Sequence, residues 1–305
     1  MTAAKARLVG SSSLGYAIVR PDGTLGFAKL RRGAAYRDLA PVIGDEVLLD
    51  DAGLIAAVLP RKTMMTRPRV ANADQAAVVV AAREPDFSSF LLDKYLTACT
   101  DVSVPALIVI TKWDLLASDR AEALADRLAW YAKLGYAVFK TGLGIPADEP
   151  ALKAKLAGKT TILLGQTGVG KSSLANRLDA SFNRSVGVFD KAMGRGRHKT
   201  KEVVLLPFLA GYLGDSPGFS DFSLDIPKDD LAREFPGYGE RSYECLFKGC
   251  LHDHIKGCAV EKAVAEDRLS KDSQANYLKL LAEATAVKGY ERKSSHSTRG
   301  KERRS

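Results

Sequence analysis

Gly165-Gln166-Thr167-Gly168-Val169-Gly170-Lys171-Ser172 has glycine, lysine and serine at every place that the pattern G-x-x-x-x-G-K-[ST] requires. Glycines let backbone N–H groups wrap around phosphate oxygens at the positive end of the helix that follows. An apolar strand over 161–164 leads in, and Ser173 continues into a helix over 171–178. The residues expected to hold a nucleoside triphosphate are therefore Gly165, Gln166, Thr167, Gly168, Val169, Gly170, Lys171, Ser172 and Ser173. Lys171 is expected to reach the β and γ phosphates, and Ser172 to hold Mg²⁺. A second constellation is Cys245-x4-Cys250-x-His252-x5-Cys258. Three thiolates and an imidazole in so short a span suit tetrahedral, structural Zn²⁺, with no position left open for catalysis. On spacing alone His254 competes with His252.

Thr111-Lys112-Trp113-Asp114 follows directly on an apolar run and resembles the N-K-x-D guanine motif. The Asp114 carboxylate would accept from guanine N1–H and N2–H₂. Adenine lacks that donor pair and would leave the carboxylate unpaired, which disfavours ATP. Thr111 stands in the place of the usual Asn, so the amide contact to the base edge is lost or reduced to a hydroxyl contact. Asp215-Ser216-Pro217-Gly218 fits D-x-x-G, with Asp215 on Mg²⁺ through water and the Gly218 N–H at the γ-phosphate. The Gly- and Arg-rich stretch 194–200 between the two holds Thr200, a candidate switch threonine for Mg²⁺, and His198. Phe219 follows Gly218 where many GTPases have a water-orienting Gln, so His198 is the in-chain candidate for a catalytic group. The base motif precedes the phosphate loop, the reverse of the usual order. A sheet tolerates such a permutation when the original termini lie close together.

These residues need elements to position them, and 305 residues suffice for two or three domains. Short candidate strands at 6–9, 15–19, 25–29, 45–49 and 54–59, with turn signals between them, predict a closed N-terminal β-barrel, an OB-fold before an SH3-like one. Lys29, Arg31, Arg32 and Arg37 interleave with these strands, as on an RNA-binding face or a merely solvated one. Strands over 75–82, 106–110, 136–139, 161–164, 202–208 and 211–214 follow. They alternate with helices over 90–100, 121–134, 152–156 and 171–178, which predicts a central α/β P-loop domain. Beyond Pro227 only helical patterns remain, at 229–235 and 272–287, around the Cys/His cluster. The expected domains are 1–68, 69–227 and 228–305: an OB-fold, a circularly permuted GTPase domain, and a mainly α zinc-binding domain.

The formal net charge is +9, which is compatible with a polyanionic partner. Much of it lies in 288–305, a segment too polar to anchor itself and expected to be disordered when free. Four cysteines, three of them clustered, do not make a disulfide framework, and Cys99 reads as a buried core thiol. With no apolar run near ~18 residues, a cytoplasmic protein is expected.

Taken together, these features closely resemble the circularly permuted bacterial ribosome-assembly GTPases called RsgA (also YjeQ). The resemblance rests on GQTGVGKSSL, DSPGF, the Cys/Cys/His/Cys spacing, Gly44-Asp45, Arg61-Lys62, Arg67-Pro68 and Asn72-x-Asp74-Gln75. It departs at Thr111, at 138–142, where the Ser-Ala of the second base loop is missing, and at Lys199. The resemblance implies GTP hydrolysis on the small ribosomal subunit late in maturation, with that subunit, its rRNA and GTP/GDP as partners, no membrane contact, and a monomer. It also implies Cys245, Cys250, His252 and Cys258 as zinc ligands, rather than His254. The alternative reading is a nucleotide-gated RNA- or ribosome-binding module whose hydrolysis is incidental.

Overall fold

The computed structural model describes residues 4–12, 14–31, 40–145, 148–183, 186–187, 203–215 and 224–298, with the backbone alone over 285–298. It divides into two compact units, one of residues 1–87 with 102–222 and the other of 88–101 with 223–305.

The first unit opens with strands β1 (Ala4–Ser12), β2 (Gly15–Val19), β3 (Leu25–Ala28), β4 (Glu46–Leu49) and β5 (Ile55–Val58), paired in the order β3-β2-β1-β4-β5. Alternation places Ala6 and Leu8 inward, where they pack on Ile18, Val47, Leu49 and Ile55. Leu30 bridges Ile55 in parallel, and the Ile55 N–H donates to the Lys29 carbonyl at 2.8 Å, so the end of β3 meets β5. The closed path β1-β2-β3-β5-β4-β1 is that of an OB-fold and disposes of the SH3-like alternative.

After the barrel comes a hairpin, β6 (Met64–Thr66) and β7 (Arg69–Ala71), whose strands are too short for period-2 alternation to reveal them in sequence. The joint around it is polar and buried. Asp45 is fully buried; its carboxylate accepts from Arg61 Nε at 2.7 Å, Arg61 Nη2 at 2.8 Å and the Val42 N–H at 2.7 Å. The Asn72 side chain donates to the Gly44 carbonyl and accepts from the Lys62 N–H. Asp74 accepts from the Thr160 N–H at 2.8 Å, and Gln75 donates to Thr161 Oγ1 at 3.0 Å. Asn72 thus holds the segment after the barrel to Gly44, while Asp74 and Gln75 hold it to Thr160 and Thr161 of the sheet that follows.

That sheet has six strands: β8 (Gln75–Ala81), β9 (Ala106–Thr111), β10 (Ala137–Lys140), β11 (Thr160–Leu164), β12 (Val204–Phe208) and β13 (Gly211–Asp215), in the order β10-β9-β8-β11-β13-β12. All pairs are parallel except β12 with β13. β8 and β11 are buried along their whole length, as expected of strands covered on both faces. Helices α2 (Ser118–Lys133), α3 (Glu149–Leu156) and α4 (Lys171–Leu178) belong to this unit, while α1 (Ser89–Asp101), which follows β8, belongs to the second.

The second unit adds α5 (Lys228–Glu234), α6 (Ala259–Ala265) and α7 (Lys271–Thr298), with a 3-10 turn over Gly239–Glu244. α1 lies against α5 and α7. α7 is described to Thr298, with the backbone alone from residue 285, so it runs into the segment expected to be disordered when free. Lys, Arg and Glu are good helix formers, and no proline follows Lys271. Residues 299–305 lie outside the described residues. No described helix is long and apolar enough to cross a membrane.

Asp45→Ala leaves the Arg61 guanidinium and the Val42 N–H without their acceptor. Because breaking a buried ion pair leaves a charge uncompensated, we expect a loss of about 3 kcal/mol, read as a lower midpoint in urea denaturation.

Candidate nucleotide site and metal centre

Parallel strands present their carboxyl ends on one edge, and loops that bind ligands leave from that edge where the strand order reverses. Here β8 is the reversal, with β9 on one side and β11 on the other. The Thr111-Lys112-Trp113-Asp114 loop leaves β9, and the 165–170 loop leaves β11. β13 ends at Asp215, which pairs with Leu163. Three of the sequence motifs therefore emerge on one edge.

The phosphate loop turns at once. Gly165 has a φ of +151°, and a Cβ there would fall on the Val79 carbonyl oxygen. Gly170 caps α4, whose Leu174 N–H donates to the Gly170 carbonyl at 2.9 Å. Lys171 is buried, and its Nζ donates to the Gly165 and Gln166 carbonyls at 2.8 and 2.9 Å. The ammonium is thus fixed inside the loop, where charge on a phosphate would meet it. Val169 is buried, while Thr167, Gly168, Ser172 and Ser173 are exposed.

The base motif is locked to this loop. The Thr111 hydroxyl, buried, donates to the Val169 carbonyl at 2.5 Å. Thr111 thus joins the two loops, a role its replacement of Asn did not foretell. Lys112 takes a left-handed conformation (φ 55°) and donates from Nζ to the Glu84 carbonyl. Lys140 Nζ lies 4.7 Å from the Trp113 ring centroid, a cation–π contact. Asp114 is exposed, and its Oδ1 accepts from the Leu143 N–H at 3.0 Å. A Cβ on Gly142 would strike that same oxygen, so only glycine allows so close an approach. The stretch that lacks Ser-Ala still meets Asp114, through its main chain. Sequence reasoning missed Leu143 because a backbone donor leaves no mark in side-chain types.

Of the remaining expected residues, His198, Thr200 and Gly218 lie outside the described residues, and for Asp215 only the backbone is described.

In the second unit, the ligand atoms of Cys245, Cys250, His252 and Cys258 lie within 4.8 Å of one another. His252 Nδ1 is 3.3 Å from Cys258 Sγ and 3.6 Å from Cys245 Sγ. His252 is fully buried, and burial lowers its pKa, keeping the ring neutral as a metal ligand must be. The other ring nitrogen faces the Ala232 carbonyl at 3.1 Å, which fixes the proton on Nε2 and leaves Nδ1 to coordinate. N–H groups of Ala259 and Glu261 point at Cys245 and Cys258 Sγ, at 3.3 and 3.4 Å. Burial raises the Cys250 and Cys258 thiols, so a cation is what would hold them as thiolates. The donor set fits one zinc ion. The side chain of His254 is 85% exposed and outside the cluster, so the ambiguity of spacing is resolved in favour of His252.

A family model, RsgA GTPase, matches residues 58–225. The chain belongs to the RsgA GTPase family. A relative in Listeria monocytogenes named small ribosomal subunit biogenesis GTPase RsgA 1 is 35% identical over 277 residues, covering 88% of this chain and 94% of its own. A Latilactobacillus sakei relative, also named small ribosomal subunit biogenesis GTPase RsgA, is 34% identical over 265 residues, covering 85% of this chain and 89% of its own. The structure is similar to YjeQ from Thermotoga maritima, with a TM-score of 0.80 at 29% identity, covering 93% of this chain and 99% of that one. It is also similar to YloQ, a circularly permuted GTPase, with a TM-score of 0.77 at 27% identity, covering 94% and 96%. The reversed motif order is thus the circular permutation of this family, whose members are GTPases.

Thr111→Val keeps the shape and removes only the hydroxyl, leaving the Val169 carbonyl short of its donor. A lost buried hydrogen bond costs about 1–3 kcal/mol, so GDP affinity should fall roughly tenfold in a titration with fluorescent GDP.

Proposed function

We propose that this chain binds the maturing small ribosomal subunit and hydrolyses GTP there, as the names of its relatives say of them. The observation that carries the reading is the bond between Thr111 and Val169, which makes a guanine-type motif and a phosphate loop parts of one site. In this reading Asp114 accepts from the guanine edge, with Lys112 and Trp113 beside it. Main-chain N–H groups of Gln166, Thr167, Gly168, Val169 and Gly170 face the phosphates, and Ser173 follows them into α4. Lys171 neutralises the charge that develops on the β and γ oxygens. Phosphoryl transfer to water needs positioned charge of this kind more than covalent chemistry. Ser172, Thr200 and Asp215 are the side chains that would hold Mg²⁺ with the nucleotide, and Gly218 would meet the γ-phosphate. With Phe219 in the place of a water-orienting Gln, turnover by the chain alone is slow, and His198 or a group of the partner completes the site.

The exposed Lys29 and Arg31 of the barrel supply positive charge for rRNA. Residues 1–68, 69–227 and 228–305 divide the work into rRNA binding, nucleotide hydrolysis and a zinc-folded module in a cytoplasmic monomer. Elemental analysis should find one zinc per chain. Cys250→Ser should remove it and loosen residues 245–258, because metal binding and folding of so small a segment are one process.

The direct test is GTP turnover with and without purified small ribosomal subunits. The parent should be slow alone and at least tenfold faster with subunits, since a group supplied in trans is typically worth about 10³ or more. Lys171→Ala should be inactive in both. Equal turnover with and without subunits would overturn the reading.

A further inference from the structure

His252 supplies the one nitrogen of the Cys/His cluster, and it does so from a backbone conformation that histidine does not favour. Its φ is +54°, in the left-handed region that residues other than glycine occupy only where their neighbours hold them there. In that conformation the fully buried ring presents Nδ1 to the sulfurs of Cys245 and Cys258, while Nε2 faces the Ala232 carbonyl.

The hold on this turn comes from α7. Gln274 Nε2 donates to the His252 carbonyl at 3.2 Å. Three residues on, along the same helix face, the Tyr277 hydroxyl donates to the Leu251 carbonyl at 2.7 Å. The carbonyls on either side of the His252 α-carbon are therefore both engaged by one helix. Gln274 is itself fixed, because its Oε1 accepts from the Tyr238 hydroxyl. The His252 carbonyl can only accept, so the amide must turn Nε2 toward it and leave Oε1 for Tyr238. The rings of Tyr238 and Tyr277 pack around the imidazole, with centroids 5.4 and 6.0 Å from its own. Apolar packing of this kind is non-directional and does not fix a backbone dihedral, whereas a bond to the carbonyl does. All of these residues lie within the second unit.

We propose that Gln274 is a positioning residue for the metal centre: its bond to the His252 carbonyl holds the left-handed turn that keeps Nδ1 among the three sulfurs. Without that bond His252 relaxes to an ordinary backbone conformation and its ring turns away. The fourth coordination position then opens to an outside ligand, as in a catalytic rather than a structural site. The proposal rests on the zinc reading of the cluster.

The test uses the full chain loaded with Co²⁺ in place of zinc, whose visible absorption reports the ligand set, with and without free imidazole. Zinc affinity is measured alongside, by competition with a colorimetric chelator. The parent spectrum should not respond to imidazole. Gln274→Met keeps the length and helix preference of the side chain but removes the donor. Its spectrum should differ from the parent's, and imidazole should restore it by supplying the missing nitrogen. Its zinc affinity should fall about tenfold, as the loss of a group that orients a ligand costs. Tyr238→Phe, a milder change, frees the Gln274 amide and should move spectrum and affinity the same way by less. Weaker zinc binding with a parental spectrum that ignores imidazole marks a loosened segment only, and would overturn the proposal. Parental spectra and affinities in both variants would do so too. If Gln274→Met does not fold, parental values in Tyr238→Phe overturn it alone. A parent that takes up neither zinc nor cobalt would overturn the zinc reading, and this proposal with it.

Discussion

Parallel pairing of β9, β8, β11 and β13 is the constraint on which the rest of the molecule depends. It sends the chain off one edge after each strand, so loops far apart in sequence start as neighbours. Thr111 and Val169, 58 residues apart, can share a hydrogen bond only because β9 and β11 flank β8 in register. Pairing is indifferent to the order in which the chain supplies the strands. A permuted sequence therefore builds the same edge, and what changes is which segment follows which motif. In this chain the strand ending at Asp215 leads, through residues 216–223, into the C-terminal unit.

Permutation also alters what the flanking modules can do. The barrel precedes β8; Asn72 holds the segment between them to Gly44 of the barrel, and Asp74 holds it to Thr160 of the sheet. The Arg7 guanidinium, from β1, lies 5.2 Å from the ring centroid of Tyr212 on β13, a second link from the barrel to the strand that ends at Asp215. The C-terminal unit takes α1 from between two strands of the sheet. A domain boundary drawn along the sequence cannot express this, because the unit is assembled from two separate stretches.

Much of this was legible in the residues. The strands of barrel and sheet lie where apolar alternation and apolar runs put them, and α4 spans the expected 171–178. The phosphate loop and the Cys/His cluster were legible because their chemistry demands fixed types at fixed spacings. Three things were not. The β6–β7 hairpin is three residues a side, too short for a period. Lys112–Glu84 and Asp114–Leu143 end on main-chain groups, which sequence does not mark. The bonds that Asp93 accepts from Ser273 and Asn276 join positions 180 or more apart, although two charged residues, Asp93 and Lys94, between Leu92 and Tyr95 were a signal that partners had to exist.

The central claim is that the edge formed by β9 and β11 holds one guanine nucleotide, with Asp114 reading the base and Lys171 the phosphates. Calorimetric titration of the purified full chain with GDP and with ADP, both with Mg²⁺, tests it most directly. The account predicts a single GDP site per chain and no measurable heat from ADP at the same concentrations. Saturable binding of ADP with affinity equal to that of GDP would contradict it.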